Sequence, residues 1–149
     1  MKTYSAKPAD ITRKWYLIDA SEQPLGRIAS AVAILLLGKD KPMFTKHIDV
    51  GDYVVIVNAE KIQVTGQKLD TKMYYRHSGY MSGLTETTLR ESQAKDPTRA
   101  LFLAIRGMIP VNRLRTARLE RLKIFGGTEH AHTAQQPKLI SVNDVKGSK

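Results

Sequence analysis

Hydrophobic positions in the first third of the chain fall into three blocks of different rhythm. Trp15-Tyr16-Leu17-Ile18 is a short aromatic and branched run closed by Asp19, which predicts a strand. Ile28, Val32, Leu35 and Leu36 recur at helical spacing behind Pro24, which suits a first helical position, and Gly38 supplies the stop. Tyr53 to Val57 is apolar without a break, the pattern of a strand buried on both faces of a parallel sheet. Strand, helix and buried strand together make one right-handed crossover unit. Two loops lie between that helix and the second strand: the basic turn Lys39-Asp40-Lys41-Pro42 and the polar stretch from His47 to Asp52.

Periodicity is weaker further on. Ile62 to Gly66 alternates briefly and reads as a strand or an extended loop. Gln67 to Gly83 has no regular period and interleaves Lys68, Lys72, Arg76 and His77 with Tyr74, Tyr75 and Tyr80. Thr88 and Glu91 have capping-box spacing and open a short helix. Asp96-Pro97 starts another, with Asp96 as N-cap and Pro97 at the first position; Leu101, Ile105 and Met108 line it and Gly107 marks its end. Asn112 caps a further helix, uninterrupted from Arg113 to Phe125. From Arg106 to Lys123 the cations Arg106, Arg113, Arg115, Arg118, Arg121 and Lys123 meet a single carboxylate, Glu120. At about 100° per residue, Leu114, Leu122 and Phe125 share an arc with Arg118 and Arg121, so charge is poorly segregated from the apolar stripe.

Composition changes the picture at one point. A chain of 149 residues has room for one domain with a real core. Its 24 Lys and Arg against 14 Asp and Glu give a net charge of +10. That field favours an anionic partner, nucleic acid first and an anionic membrane surface second. The lack of cysteine removes disulfides, thiolate metal sites and cysteine nucleophiles, and fits a reducing cytoplasm. No secretory signal is expected in Met1 to Lys14, and the greasiest run, Ile28 to Leu37, is well short of the ~20 residues that span a bilayer. We expect an intracellular protein with a basic arm over 1–14, an α/β domain over 15–127 and a tail over 128–149, without internal repeats.

Candidate chemistry narrows the reading further. Neither G-x-x-x-x-G-K-[ST] nor G-x-G-x-x-G is present, and Gly26 alone is explained by helix packing. His130 and His132 are two apart, and His47 has Asp49 and Asp52 nearby. A metal-dependent hydrolase of RNA, or a nucleotide-dependent enzyme, is the alternative these residues allow. Loop histidines that bond backbone or touch phosphate explain them more simply. Arginine's guanidinium is always charged, forks onto phosphate oxygens and stacks on bases. Cations interleaved with tyrosines from Lys68 to Tyr80 suit backbone contact plus stacking of unpaired bases. Basic groups in several separate places fit irregular RNA better than one duplex groove. The residues thus give an RNA-binding α/β domain without catalysis.

An ordered set of short motifs then resembles a known family. They are Met1-Lys2-Thr3-Tyr4, Trp15-Tyr16 with Asp19-Ala20, Leu25-Gly26-Arg27, and His47 to Tyr53. Asn58-Ala59-Glu60-Lys61, Thr65-Gly66-Gln67-Lys68, Arg106 to Pro110 and Leu122 to Phe125 follow, then Gly127, His130-Ala131-His132 and Ala134 to Pro137. Nearly end to end, the chain is similar to the thirteenth protein of the bacterial large ribosomal subunit. The resemblance implies a three-layer α/β/α single domain with a short, mostly parallel sheet. It implies a non-catalytic component of the large subunit that binds 23S-type ribosomal RNA early in assembly, with no cofactor and no metal. Neighbouring large-subunit proteins would be its other partners, with no membrane, no small-molecule substrate, and one copy as a monomer within the cytoplasmic ribosome.

Departures from the family pattern also carry expectations. Val111 and Leu114-Arg115-Thr116 stand where relatives carry Lys and then Leu-Gly-Arg or Leu-Gly-Lys. Ile34-Leu35-Leu36-Leu37 stands where relatives often have arginines, which predicts a protein neighbour or deeper packing there. Lys46 replaces a common Pro and adds charge beside His47. The want of a presequence favours a bacterial over an organellar form. The expected RNA contacts are Lys39, Lys41, Lys46, His47, Lys68, Lys72, Tyr74, Arg76 and His77, with Arg106, Arg113, Arg115, Arg118, Arg121 and Lys123 from the basic segment.

Overall fold

The structure, a computed structural model, describes residues 4–145, so Met1 to Thr3 of the arm and the last four residues of the tail lie outside the described residues. The crossover unit forms as the pattern predicts. Strand β1 (Trp15–Asp19) leads to helix α1 (Leu25–Leu37) and then to β2 (Tyr53–Val57), parallel to β1 with Ile18 opposite Ile56. Helix α1 ends at Gly38, whose φ of 76° is left-handed and whose N–H bonds back to Ile34 and Leu35. Eight of its thirteen residues are buried, and Leu36, fully covered, contributes about 2 kcal/mol through burial alone. The apolar end of α1 is therefore explained by deeper packing within the chain itself.

The middle of the chain is a structured appendage rather than an aperiodic loop. A short helix α2 (Lys68–Thr71) precedes β3 (Met73–His77), which pairs antiparallel with β4 (Leu84–Thr88) as a separate two-stranded sheet. The turn between them closes by Ser78 N–H to Gly83 O, with Tyr80 and Met81 standing out in solvent. Thr88 ends the hairpin and caps α3 (Leu89–Lys95) with a full capping box, as its spacing predicts. Ile62 to Thr65 forms no named strand: Ile62 is buried in the core, and Gln63 bridges to Pro24 and donates its amide to Ser21 O.

Helix α4 (Arg99–Met108) starts later than expected. The Asp96 carboxylate accepts from both the backbone and the hydroxyl of Thr98, at 2.9 and 2.7 Å, so Asp96-Pro97 forms a turn ahead of the helix. Gly107 lies inside the last turn, and Met108 is exposed whereas Leu101 and Ile105 are buried. The largest correction concerns the basic segment. Helix α5 covers only Arg115–Glu120, and Leu122–Ile124 leaves it as β5, parallel to β2. Asn112 bonds Leu114 N–H in a turn before the helix and does not cap it. A helix with arginines in its apolar arc gains little from two more turns, whereas the edge of β2 offers a hydrogen-bond ladder and slots for Leu122 and Ile124.

The main sheet has the order β5-β2-β1-β6, all parallel, with β6 (Lys138–Leu139) contributed by the segment expected as a tail. Val142 and Val145 beyond it join the core against α1. Tyr16, Ile18, Val54, Ile56 and Leu122 face that helical core. On the opposite face Trp15 stacks on Tyr53 at 4.3 Å, and His132 lies tilted against Trp15. His130 and His132 also pack on the Phe125 ring. This is an α/β domain with a parallel sheet, as the resemblance implies.

Candidate nucleic-acid interface

The loop from His47 to Asp52 docks on the C-terminal end of α1, and two of its carboxylates gather cations inward. Asp52 has no solvent exposure; it accepts from Lys14 N–H at 2.8 Å and from Lys41 Nζ at 2.6 Å. Lys41 also donates to the carbonyls of Thr12 and Val50, both at 2.9 Å, which uses all three of its protons. Asp49 receives both terminal nitrogens of Arg121, one of them at 2.6 Å. Arg118 Nε approaches it at 3.5 Å, near enough to pair charge but not aligned for a hydrogen bond, and Arg13 at 3.7 Å. Arg13 further donates to Gly51 O and Asp49 O. One carboxylate thus serves three guanidiniums.

The α5 arginines are therefore divided. Arg118 is 2% exposed and Arg121 6%. Arg121 also donates to Leu36 O at 3.4 Å, one of the carbonyls that a helix C-terminus leaves open and where a cation is favoured. The expectation that Lys41, Arg118 and Arg121 face RNA phosphates is corrected by their placement: each is turned into the protein and held by Asp52 or Asp49. Burying a cation without such a partner would be prohibitive, which is why the loop carries both carboxylates. A signal existed in the sequence, since Arg118 and Arg121 fall in the same helical arc as Leu114 and Leu122. Beside Asp52, burial pushes the Asp40 carboxyl up and the Asp52 charge adds to the shift; its buried Oδ1 has no hydrogen-bond partner.

Other expected contacts stand in solvent. Arg113 and Arg106 are exposed, at the approach to α5 and the end of α4. Arg115 is half-buried and donates to the carbonyl of Arg106, which ties the two segments together. Lys123 is half-buried on β5. Lys39, Lys46 and His47 are exposed, with His47 Nε2 at 3.5 Å from Ser5 Oγ. Lys68 and Lys72 are exposed, and the Lys72 ammonium sits 5.5 Å from the Tyr74 ring centre. The hairpin register splits the expected trio: Tyr74 and Arg76 share one face, and His77 lies on the other, accepting from Gly79 N–H.

The same geometry leaves little for catalysis. Asp49 and Asp52 are occupied by internal cations, and His47 sits apart on the surface. Among the described residues no group of three or more His, Cys, Asp or Glu could hold a metal ion, and no helix is long and apolar enough to cross a membrane.

Comparison with known proteins decides the family. The family model described as "Ribosomal protein L13" matches residues 13–131. The chain belongs to that family. The "Large ribosomal subunit protein uL13" of a Polaromonas species is 54% identical over 142 residues, covering 95% of this chain and 100% of the relative. The protein of the same description from Symbiobacterium thermophilum is 54% identical over 141 residues, covering 95% and 99%. That of Neisseria meningitidis is 49% identical over 142 residues, again covering 95% and 99%. Proteins of this family are structural, not enzymes, which sets the hydrolase and nucleotide-enzyme alternatives aside. The matched span opens at Arg13 and takes in the whole internal cluster around Asp49.

Proposed function

We propose that this chain is a structural component of the large subunit of the cytoplasmic ribosome. In this reading it binds 23S-type ribosomal RNA, supports early subunit assembly, catalyses nothing, and sits as a monomer among neighbouring large-subunit proteins. The observation that carries the reading is what remains after internal pairing is subtracted. Lys41, Arg118 and Arg121 are committed inside, and Arg13 is tied from the surface to the carbonyls of Asp49 and Gly51, yet exposed cations persist on four separate elements. These are the loops bearing Lys39 and Lys46, the α2–hairpin region with Lys68, Lys72 and Arg76, the end of α4 at Arg106, and the turn at Arg113. Dispersed cations with one tyrosine-bearing hairpin suit a folded RNA touched on several sides. The relatives' descriptions attach those proteins to the large ribosomal subunit.

Co-sedimentation tests the reading. The purified chain is expected to bind large-subunit ribosomal RNA, and to sediment with large subunits at low salt and be released at high salt. Indifference to both would reject it. Binding to anionic vesicles that competing RNA does not diminish would favour a membrane-surface role instead.

A further inference from the structure

Between the hairpin and α3 lies a cleft whose walls include residues that the family reading leaves unused. Antiparallel register puts Tyr74 beside Thr87 and Arg76 beside Thr85, so these four side chains share one face. That face lines a cavity of about 280 Å³, and Ser92, Lys95, Asp96 and Arg99 form its other wall. The volume falls just below the range of small-ligand sites, roughly 300–1,000 Å³, and suits one nucleotide at most rather than a stretch of chain. Ser92 is only 4% exposed, and its Oγ is buried without a hydrogen-bond partner. A helical serine can return its hydroxyl to the carbonyl four residues earlier; this one does not, although an unsatisfied buried hydroxyl costs free energy. Arg76, Lys95 and Arg99 bring three positive charges to the cleft, and Asp96 returns one negative charge. Hydrogen bonds from Thr98 hold the Asp96 carboxyl below the usual carboxylate range and occupy its Oδ1.

We propose that this cleft binds the phosphate of a single unpaired nucleotide, held by Arg76, Lys95 and Arg99 with the Ser92 hydroxyl donating, and with the base against Tyr74. The inference rests on the RNA reading and adds a built pocket to it. Ser92, Lys95 and Arg99 become binding residues beside Tyr74 and Arg76. Guanidinium groups fork onto phosphate oxygens, and a half-buried tyrosine ring is a sequence-tolerant platform for a base. The same phosphate chemistry is offered by RNA and by a free nucleotide, and the test separates them.

Amide NMR spectra of the full chain would be titrated with inorganic phosphate, adenosine 5′-monophosphate and a single-stranded pentaribonucleotide. Arg99→Gln and Ser92→Ala variants would be run alongside, with filter binding to large-subunit ribosomal RNA in parallel. Signals of Tyr74, Thr85, Ser92 and Arg99 are expected to move with the nucleotide and the oligonucleotide. Arg99→Gln should weaken binding about tenfold, as expected for removing one charge-assisted hydrogen bond. Ser92→Ala should weaken it severalfold while leaving the melting temperature unchanged or higher. Response to the mononucleotide alone upholds the phosphate site and rejects RNA as its source. Undisturbed cleft signals with all three probes, or variants that bind as tightly as the parent, overturn the proposal. Ribosomal RNA binding with an undisturbed cleft sinks this inference alone; failure of ribosomal RNA to bind sinks the wider reading.

Discussion

Removing the charge of Asp49 is expected to do more damage than removing any exposed arginine. Asp49→Asn leaves Arg118 and Arg121 buried with no counter-ion, a change of about 3–5 kcal/mol in similar settings. Arg113→Gln, at an exposed position, should stay within about 0.5 kcal/mol. Urea unfolding of the two variants checks the contrast, and equal stabilities would contradict the internal role. Gly51 is a second point of no tolerance. A Cβ there would lie 1.8 Å from the Leu36 carbonyl oxygen, a backbone atom at the end of α1 that cannot swing aside. Gly51→Ala is expected to destabilise by about 3 kcal/mol or more, or to prevent folding, read by circular dichroism and denaturant titration. In the sequence Gly51 and Asp52 read only as loop residues, because the surface they press against belongs to a helix end many residues away.

At the level of elements, β1, α1, β2 and α3 were legible because each has a local signal: an apolar run, a helical stripe, a left-handed glycine, a capping box. The hairpin was not, since neither Met73–His77 nor Leu84–Thr88 alternates apolar with polar residues or buries a face, and its turn lacks an Asn-Gly or Asp-Gly pair. Strands β5 and β6 were hidden for another reason. They are two or three residues long, and pairing to strands far away in sequence decides them. The tail is thus part of the fold: a chain lacking residues 138–149 loses β6 and the two buried valines at 142 and 145. Each valine contributes about 1.5–3 kcal/mol on burial, so the truncated chain should unfold at clearly lower urea. An unchanged midpoint would show the segment to be dispensable. The end of β1 also carries a pH dependence. Burial opposes the charge on Asp19, but hydrogen bonds from Ser21 and Asn58 prevail and hold its carboxyl below the usual range. Its contribution is complete above the unfolded value near ~3.9 and is lost as pH falls through the lower folded value. Melting temperature is expected to drop on that acid limb, and Asp19→Asn should flatten the drop.

Across the whole molecule, net charge was the clearest statement in the sequence, and it pointed to a polyanion without saying which cations meet it. Charge counts do not distinguish an arginine that faces solvent from one that closes a buried pair. Only the fold divides Arg113 and Arg106, which are free to reach phosphate, from Arg118 and Arg121, which hold α5, α1 and the Asp49 loop together. The most direct test of that division is the salt dependence of binding to large-subunit ribosomal RNA for a Lys72→Gln, Arg76→Gln, Arg106→Gln, Arg113→Gln variant. Its slope in log affinity against log salt is expected to flatten by roughly 0.7–0.9 for each phosphate the variant no longer neutralises, about three units in all, with the melting temperature unchanged. A slope equal to that of the parent chain would contradict the assignment of RNA binding to the exposed cations.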